Sequence, residues 1–470
     1  MERIFLSLTM LILGVTLYGK PQLPEILSDG MILQQKSNVN IWGKAEPGKI
    51  VNVKPSWSDT AISVRANEEG DWLALIATPE ASFTPHTLSI SDGEGVIIND
   101  ILIGEVWLAS GQSNMEMPLN GYYNNPISFS NETIAFAGQY PAIRYVTIPN
   151  TTTFEPLESV GGRWQVCSPD NAALLSATGF FFAETLHRSL NVPVGIIISA
   201  YGGTKVEGWT SREILETYPD INLSEEVINQ VFFTLRPMLM YNGMIHPIKN
   251  YTIKGFIWYQ GESNVGAHEV YAERLYNMVT LWREKWKNPD LPFYFVEIAP
   301  YQYGEGDLGA YLREAQYKAQ KLIPNSGMIS TNDLVEPYEE KIIHPRNKVD
   351  VGKRLAFMAL NNTYGYKWVA SHGPEYSWME IIDGKAIVSF DYADEGFNRV
   401  DGITGFEIAA EDGVFLPAEA IVLNGKVVVS REGMEHPVAV RYCFKNFQIG
   451  NLTGIRGLPV VPFRTDSISR

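Results

Sequence analysis

Cysteine is scarce in this sequence, which has only Cys167 and Cys443 among its 470 residues. Two thiols so far apart cannot hold a metal cluster by themselves, and the sequence leaves open whether they pair in a disulfide. The seven histidines, at positions 86, 187, 246, 268, 344, 372 and 436, are scattered as well, and no two have a ligand spacing such as i and i+4. The sequence therefore predicts no metal site.

Runs of basic residues are missing too. Lysine and arginine together number 37 against 53 aspartates and glutamates, so the formal net charge is -16. Clustered lysine and arginine hold the phosphates of a nucleic acid, and we therefore expect no nucleic-acid partner. A glycine-rich phosphate loop of the nucleotide-binding type is also absent, and we expect no cofactor.

Long apolar runs are confined to the N-terminus. Arg3 precedes a mostly apolar stretch at residues 4–17, and cleavage near Tyr18-Gly19-Lys20 would fit a signal peptide over residues 1–19. The apolar stretch is too short to span a bilayer comfortably, so a membrane anchor is the weaker alternative. No later stretch is apolar enough for a membrane span. The mature chain is therefore predicted to be exported, periplasmic or secreted, or lysosomal or secreted in a eukaryote.

The first part of the mature chain has the pattern of β-structure. From residue 20 to residue 103, short alternating apolar runs are separated by turn residues, which predicts an N-terminal antiparallel β-domain. Trp42, Trp57 and Trp72 in this region could form a platform for a sugar, although packing in the core is the more common role of such residues.

The pattern changes after residue 103. Between residues 104 and 363, apolar strands such as Val194–Ala200 alternate with helices such as residues 268–287, which have apolar side chains at helical spacing. This predicts an α/β domain built on a doubly wound parallel sheet. From residue 364 to residue 470 the β pattern returns, with a hairpin at Asn424-Gly425, and predicts a C-terminal antiparallel β-domain.

The residues directly after each parallel strand are informative, because ligands of such a sheet bind at the carboxyl ends of its strands. The first strand leads into Gly111, Gln112, Ser113 and Asn114. A serine in this place is exposed at the edge of the sheet, and its backbone N–H is free to bind an anion. We interpret Ser113 as a nucleophile, with Gln112 and Asn114 as substrate-binding neighbours, although an ordinary turn uses the same residue types.

The later strands end in groups that a serine nucleophile needs. Gly202 and Gly203 follow a buried strand and let a backbone N–H approach an oxyanion closely. Gln260 ends the next strand and offers its amide to the same oxyanion, and Asn264 follows in that loop. His344 comes after the last strand, and histidine is the usual general base for serine because its pKa is near neutrality. We assign Gly202 and Asn264 to substrate binding.

Two other interpretations use the same regions differently. Glu262 and Glu297 could form the carboxylate pair of a glycosidase, although no spacing in the sequence supports that pairing. The protein could also be a catalytically silent carbohydrate-binding protein, in which the β-domains hold the glycan and the α/β domain is a scaffold.

Four motifs stand at the ends of the predicted strands, namely GQSNM at 111–115, YGGTKVEGW at 201–209, WYQGESN at 258–264 and HPRNK at 344–348. In this order they resemble the motifs of the sialate O-acetylesterases, carbohydrate esterases of the SGNH-hydrolase superfamily. The stretches LPEILSDGMILQQ at 23–35 and WQVCSP at 164–169 resemble that family as well, so the resemblance covers most of the mature chain. It implies an SGNH-type, flavodoxin-like catalytic domain between the two β-domains.

The resemblance also implies a reaction, the hydrolysis of an acetyl ester on a sialic acid through an acyl-enzyme. Ser113 would attack the acetyl carbonyl while His344 removes its proton. The N–H groups of Ser113 and Gly203, with the side chain of Gln260, would hold the oxyanion. Acetylated xylan or another acetylated glycan is the alternative substrate.

A sialic acid would bring a carboxylate, which a guanidinium binds with two parallel hydrogen bonds. The sequence offers several arginines for this contact, Arg144, Arg163, Arg236 and Arg346. Only Arg346 lies close to His344 in the sequence, and we assign it to substrate binding.

The sequence departs from the family pattern in one respect. Many SGNH hydrolases have an aspartate two or three residues before the histidine, where this chain has Lys341 and Ile342. Either a Ser-His dyad operates, with a backbone carbonyl orienting the imidazole, or the acid comes from elsewhere. The candidates for that acid are Asp333, Glu336, Glu339, Glu340 and Glu262.

Overall fold

The computed structural model describes residues 20–466, and the predicted signal peptide at residues 1–19 lies outside this range. The chain has a mixed α/β fold with one large mixed sheet and separate antiparallel sheets, which confirms the predicted α/β class with additional antiparallel sheets. Within residues 20–466, no helix combines the length and the apolar character that crossing a bilayer requires.

The strands are numbered along the chain. They are β1 (Ile32–Gln34), β2 (Asn38–Lys44), β3 (Ile50–Pro55), β4 (Ile62–Arg65), β5 (Asp71–Ala77), β6 (Ser82–Ser91), β7 (Gly95–Gly111), β8 (Ile143–Thr147), β9 (Gln165–Val166), β10 (Val194–Ala200), β11 (Gly255–Tyr259), β12 (Phe293–Val296), β13 (Ser326–Ile329), β14 (Glu375–Ile382), β15 (Lys385–Asp391), β16 (Phe406–Ala409), β17 (Leu416–Pro417), β18 (Glu419–Leu423), β19 (Lys426–Ser430), β20 (Ala439–Tyr442) and β21 (Phe463–Arg464).

The α-helices are numbered in the same way. They are α1 (Ser113–Glu116), α2 (Ser130–Phe136), α3 (Ala177–Leu190), α4 (Arg212–Leu215), α5 (Glu225–Gln230), α6 (His268–Lys285), α7 (Leu308–Leu322) and α8 (Lys348–Asn362).

The parallel part of the large sheet has the strand order β13-β12-β11-β7-β10-β8, and β9 pairs antiparallel with β8 at its edge. β7 is its long central strand, with 17 residues, and it is continuously buried from Ile101 to Gly111. Its first half pairs with β1 and β6, and its second half with β10 and β11. The boundary predicted between residues 103 and 104 therefore falls inside one strand.

Helices cover both faces of the parallel strands. Val106 and Leu108 of β7 belong to the apolar cluster that includes α6 and α7, whereas Trp107 and Ala109 belong to the cluster that includes α3 and α8. This alternation follows from the period of two in a strand. Burying an apolar side chain of medium or large size stabilises the fold by roughly 1.5–3 kcal/mol, so both helical layers hold the sheet in place.

The C-terminal region forms two four-stranded antiparallel sheets, with the orders β14-β15-β19-β18 and β17-β16-β20-β21. Asn424 and Gly425 connect β18 to β19, as predicted, and their φ angles of 53° and 75° belong to the turn type that suits two-residue hairpins. Cys443 in this region and Cys167 are both buried free thiols, and burial raises the pKa of each to about 12.

The tryptophans of the N-terminal region have mostly packing roles. Trp42 and Trp72 are buried in the core, and Trp57 is half-buried with its indole N–H donating to the Ala77 carbonyl. The sequence pattern did not reveal β8. In β8 the apolar run is interrupted by Arg144, whose buried guanidinium donates to the carbonyls of Gly30 and Asp100. Those partners are distant in sequence, so the local pattern does not reveal them.

Candidate active site

The three central strands of the parallel sheet end at the same level. Gly111 at the end of β7 pairs with Ala200 at the end of β10 and with Tyr259 at the end of β11. Hydrogen bonds continue beyond the strands, since the Gln112 N–H donates to the Tyr259 carbonyl over 2.9 Å and the Tyr201 N–H donates to the Gly111 carbonyl over 3.0 Å. The loops that carry the predicted site residues therefore start side by side.

A glycine is required at position 111 because β7 and β11 lie close together there. Its φ is +135°, and a Cβ atom at this position would lie 2.2 Å from the Tyr259 carbonyl oxygen. A side chain would therefore push β7 away from β11 directly before Ser113.

The strand ends border a cleft of about 850 Å³. Ser113, His344, Gly202 and Gly203 line it together with Gln112 and Glu262, so the structure brings these predicted site residues together. The other lining side chains are mainly apolar or small, namely Pro118, Tyr122, Thr147, Ile148, Pro149, Leu174, Ser176, Ile198, Ala200, Ser263 and Ile343, with Glu116 and Asn150 as further polar groups.

Ser113 begins the short helix α1, where backbone N–H groups lack partners within the helix. A Cβ on Gly202 would lie 3.4 Å from the Ser113 Cβ, so the Gly202-Gly203 loop is directly beside the serine. Within the described chain, the backbone N–H groups of Ser113 and Gly203 donate no hydrogen bond. Two residues that line the cleft, Ser113 and Gly203, thus have backbone N–H groups available to donate.

Glu116 is a polar residue of the cleft that sequence patterns did not identify. Its Oε2 accepts a hydrogen bond from the Gly202 N–H over 2.7 Å, and its Oε1 accepts one from the Asn150 side-chain amide over 2.9 Å. Glu116 stands three residues after Ser113 in α1, so helical spacing was the available signal. Asn150 follows β8, the strand that the sequence pattern did not reveal.

His344 lies in the loop between β13 and α8, and this loop is held at several points. The Asn114 side chain donates to the Ile343 carbonyl over 3.0 Å, and the Lys348 ammonium donates to the Pro345 carbonyl over 2.5 Å. The Arg346 N–H donates to Glu339 over 2.9 Å. Backbone contacts on both sides of His344 therefore fix the position of the imidazole.

The imidazole itself has an apolar environment. Its ring meets the ring of Tyr122 edge-on at a centroid distance of 5.2 Å. Burial, together with the positive charge of nearby Lys348, lowers the pKa of His344 to about 4. Among residues 20–466, no carboxylate oxygen lies within 4.0 Å of the His344 ring nitrogens and no group hydrogen-bonds them.

Asn114 and Glu262 link the loops that follow β7 and β11 to the loop that carries His344. The Asn114 amide donates to Glu262 over 2.6 Å as well as to the His344 loop, and Asn114 is fully buried. Burial raises the pKa of Glu262, whose Oε2 has no hydrogen-bond partner in the described structure. Asn114 was predicted to bind substrate, but its buried position gives it the role of linking the serine, glutamate and histidine loops.

Gln260, which is predicted to donate to the oxyanion, is not among the residues that line the cleft. Its side-chain N–H groups donate to the Thr204 carbonyl over 3.0 Å and to the Asn264 oxygen over 2.7 Å, and the residue is completely buried. Asn264 is also buried, with its amide hydrogens on Glu207, so it is not placed to bind substrate. Both residues instead support the loop that follows β10.

The candidates for a triad acid have other partners. Asp333 forms a two-pronged ion pair with Arg354, with N–O distances of 2.7 and 2.5 Å. Glu339 accepts hydrogen bonds from the backbone N–H groups of Glu336 and Arg346, and Glu336 and Glu340 are exposed. The remaining candidate, Glu262, lines the cleft but makes no contact with the imidazole within hydrogen-bonding distance.

Arg346 and Glu297 are also outside the cleft. The Arg346 guanidinium donates to the Ser128 hydroxyl over 3.1 Å and to the Tyr338 hydroxyl over 3.3 Å. Glu297 is buried under the sheet end, where it accepts from the Thr331 N–H, and burial raises its pKa to about 7. A glycosidase pair of Glu262 and Glu297 across the cleft is therefore not formed.

The chain is similar in sequence to known carbohydrate esterases. The profile of the family described as "Carbohydrate esterase, sialic acid-specific acetylesterase" matches residues 103–361, more than half of the chain. The chain is similar to the sialate O-acetylesterase of Homo sapiens, with 27% identity over 406 residues, covering 78% of this chain and 75% of the relative. The corresponding protein of Mus musculus is 25% identical over 440 residues, covering 81% of this chain and 80% of the relative.

A solved structure covers nearly the whole chain. It is a carbohydrate acetylesterase from Xanthomonas citri that is 33% identical, with a TM-score of 0.85, and the match covers 95% of this chain and all of the other. The similarity therefore includes the β-regions on both sides of the parallel sheet.

Proposed function

Because the chain belongs to the family of sialic acid-specific carbohydrate acetylesterases and is a carboxylic ester hydrolase, we propose that it removes O-acetyl groups from sugars through an acyl-enzyme on Ser113. One observation carries this proposal. Ser113, His344 and two undonated backbone N–H groups, those of Ser113 and Gly203, border one cleft. These are the nucleophile, base and oxyanion donors that ester hydrolysis requires.

In the first step, the Ser113 oxygen forms a bond to the acetyl carbonyl carbon while His344 takes the serine proton. The carbonyl oxygen becomes an oxyanion, and the N–H groups of Ser113 and Gly203 donate to it. The bond between the carbonyl carbon and the sugar oxygen then breaks, and the His344 proton passes to that oxygen. The sugar leaves with a free hydroxyl, and Ser113 carries the acetyl group.

In the second step, water attacks the acetyl-serine. His344 takes a proton from the water and returns it to the serine oxygen as the acyl bond breaks, so that acetate leaves and the enzyme is restored. The apolar wall formed by Ile148, Ile198 and Ala200 suits the acetyl methyl group.

We further propose that His344 acts in a Ser-His dyad. An aspartate in a triad holds the histidine in orientation and stabilises its charged form. Here the orientation comes from the hydrogen bonds to the Ile343 and Pro345 carbonyls and from the Tyr122 ring. Glu262 is the candidate to stabilise the charge, because it lines the same cleft and is fixed by Asn114.

The lowered pKa of His344 gives a prediction for the pH dependence. An imidazole with a pKa of about 4 remains a neutral base down to that pH. The acid limb of kcat/KM, which reports the free enzyme, is therefore expected near pH 4 and not near the usual histidine value of about 6.5. Acetate release measured across the acidic and neutral range checks this.

Circular dichroism at each pH is the control for that experiment. The unfolded chain binds the His344 proton more tightly than the folded protein does, so this group makes unfolding easier as the pH falls from about 6.5 to about 4. An acid limb near pH 6.5 in protein that is still folded would contradict the assignment of His344 as the base in this environment.

Glu116 is proposed as a positioning residue for the oxyanion donor. Its carboxylate holds the Gly202 N–H and thereby orients the peptide that presents the Gly203 N–H. Glu116→Ala is expected to lower kcat by roughly 10- to 100-fold with little change in KM, since a misoriented donor loses part of the about 3 kcal/mol that a complete oxyanion donor contributes. Steady-state kinetics with 4-nitrophenyl acetate measure this split.

Glu116→Gln separates the hydrogen bond from the charge. The glutamine oxygen can still accept from the Gly202 N–H, so most of the lost kcat should return. Asn150→Ala, which removes the other partner of Glu116, is the matched control and should have the smaller effect. A Gln variant as slow as the Ala variant would show that the charge, and not the orientation of Gly202, is what matters.

The substrate proposed first is an O-acetylated sialic acid, which the family description and the names of the curated relatives support. A specific observation favours the second candidate, an uncharged acetylated glycan such as acetylated xylan. The acidic side chains that line the cleft among residues 20–466 are Glu116 and Glu262, and no lysine or arginine lines it. The cleft therefore offers no guanidinium or ammonium to pair with the carboxylate of a sialic acid.

Acetate release from O-acetylated sialosides and from acetylated xylo-oligosaccharides distinguishes the two substrates. A kcat/KM at least tenfold higher on the sialosides would support sialic acid, and the opposite ratio would support the uncharged glycan.

For the chain as a whole we propose export after removal of residues 1–19, with residues 104–363 as the catalytic domain between β-domains at 20–103 and 364–470.

A further inference from the structure

A second concave surface lies in the C-terminal region, away from the cleft that contains Ser113. It has a volume of about 520 Å³ and is bordered by the end of α8, the segment after it, and two turns of the C-terminal sheets. We call it the aromatic groove and define it by Asn362, Trp368, His372, Tyr392, Asp394 and Arg456. None of these residues lines the Ser113 cleft.

Trp368 is the most exposed tryptophan in the described chain, with 84% of its surface open to solvent. Its loop is nevertheless fixed. Arg456 donates to the Trp368 carbonyl over 3.1 Å and forms a two-pronged ion pair with Glu395 over 2.7 and 2.8 Å. The Asn361 side chain donates to the Val369 carbonyl over 2.7 Å. A large indole is thus presented to solvent from a backbone that is held in place.

Tyr392 presents a second aromatic surface in the same groove. Its ring stacks on His372 at 4.6 Å with an angle of 14° between the planes, while 56% of the residue is exposed. Its φ is +58°, a left-handed conformation that is unfavourable for residues other than glycine. The fold therefore maintains a strained backbone that keeps one face of this ring on His372 and leaves the rest open.

Polar groups without protein partners stand beside these rings. Within residues 20–466, the side chains of Asp394 and Asn362 make no hydrogen bond or ion pair, and both residues are exposed at the groove. A carboxylate accepts hydrogen bonds, whereas an amide both donates and accepts them. The groove thus combines two flat apolar surfaces with groups that bind hydroxyls.

We infer that the aromatic groove binds a sugar segment of the glycan at a place separate from the reaction. A pyranose ring has an apolar face of C–H groups and an edge of hydroxyls, which match the rings and the polar groups respectively. The volume suits one or two sugar units, which fits a chain-like glycan better than a protein surface. Because the chain is a carbohydrate esterase, such a site would hold a polymeric substrate near the Ser113 cleft by raising its local concentration.

Native gel electrophoresis with a polysaccharide in the gel tests this inference. The probes are acetylated xylan and an O-acetylated mucin, which represent uncharged and sialic acid-containing glycans. Wild-type protein should be retarded by at least one of them, and Trp368→Ala should weaken that binding about tenfold or more, as truncation of a central tryptophan commonly does. Trp378→Ala is the matched control, because Trp378 is 45% exposed on β14 outside the groove.

Kinetics give the second measurement. Trp368→Ala should leave turnover of 4-nitrophenyl acetate unchanged while raising KM for the retarding glycan. Thermal unfolding verifies the fold, and Asp394→Asn provides a variant that keeps the size of the side chain if the tryptophan variant is unstable. Its expected effect is a smaller loss of glycan binding.

Several results would overturn the inference. These are the absence of retardation of the wild type in both gels, equal retardation of Trp368→Ala and Trp378→Ala, and a change of oligomeric state on size-exclusion chromatography with Trp368→Ala, which would identify the groove as a contact between copies. Failure of the proposed Ser113 mechanism would be seen separately. Ser113→Ala would then turn over 4-nitrophenyl acetate at the wild-type rate, and retardation by the glycan would be unaffected.

Discussion

Ser113→Ala is expected to lower the rate of acetate release by on the order of 10⁴-fold or more, because removal of the nucleophile in a serine hydrolase has an effect of this size. The remaining rate would come from substrate bound beside the two backbone N–H donors and attacked by water. The fold should be unchanged, since the Ser113 hydroxyl makes no hydrogen bond in the described structure. The Ser113 carbonyl, which accepts from the Met117 N–H and the Tyr122 hydroxyl, is kept in the variant.

The rate of acetate release is measured by steady-state kinetics with 4-nitrophenyl acetate and with an acetylated sugar. Ser263→Ala is the matched control, because Ser263 lines the same cleft on a different loop and is given no role in the reaction. Wild-type turnover by Ser113→Ala would refute the acyl-enzyme mechanism. Mass spectrometry of the protein mixed rapidly with substrate gives an independent readout, an acetyl group on the peptide that contains Ser113.

His344→Ala is the second substitution with a large expected effect, a loss of roughly 10³- to 10⁴-fold or more in kcat. The physical reason is that no other basic side chain is among the residues that line the cleft. The loop should keep its place, because it is held by the Ile343 and Pro345 carbonyls and not by the imidazole.

The double variant sharpens this test. If Ser113 and His344 act as one unit, Ser113→Ala combined with His344→Ala should be no slower than the slower single variant, since such effects are strongly non-additive. His436→Ala serves as the control for loss of a histidine, because His436 is exposed and far from the cleft lining. Multiplicative losses in the double variant would mean that the two residues act in independent steps.

Much of the fold could be predicted from periodicity. Val194–Ala200 is apolar throughout and is buried throughout, as β10 in the centre of the parallel sheet. The helix predicted over residues 268–287 is α6, which ends two residues earlier at Lys285. Such elements are predictable because each buries a face whose spacing is set by the element itself. β8 was missed because Arg144 is stabilised by carbonyls from distant segments, which the local sequence does not contain.

The site was predictable to the extent that strand order determines it. Ser113, Gly203 and His344 follow strands of one parallel sheet, and such strand ends meet at one edge. Gln260 follows a strand as well, but its side chain turns inward to Thr204 and Asn264. Which way a side chain turns depends on partners from other loops, and the sequence does not give that information. The same applies to Glu116, whose partner Gly202 is 86 residues away.

The absence of an acid next to His344 was visible in the sequence at Lys341 and Ile342, but its consequence was not. The structure places Asp333 against Arg354 and Glu339 against backbone N–H groups, so two of the candidate acids are structural. Glu262 remains a candidate for the acid only because it lines the same cleft as His344, since it makes no hydrogen bond to the imidazole. Asn114, which links Glu262 to the His344 loop, was assigned to substrate by sequence and is placed by the structure in the scaffold.

The shared strand β7 limits how this protein can be divided. One half of β7 completes the N-terminal sheet, and the other half leads through Gly111 into the nucleophile. A protein whose first region was attached by a linker could lose or exchange that region as a module. Here a cut after residue 94 would remove both strand partners of residues 95–104, the first half of the strand that leads to the reactive serine. Evolution and protein engineering are therefore both expected to change the N-terminal β-region and the catalytic sheet together.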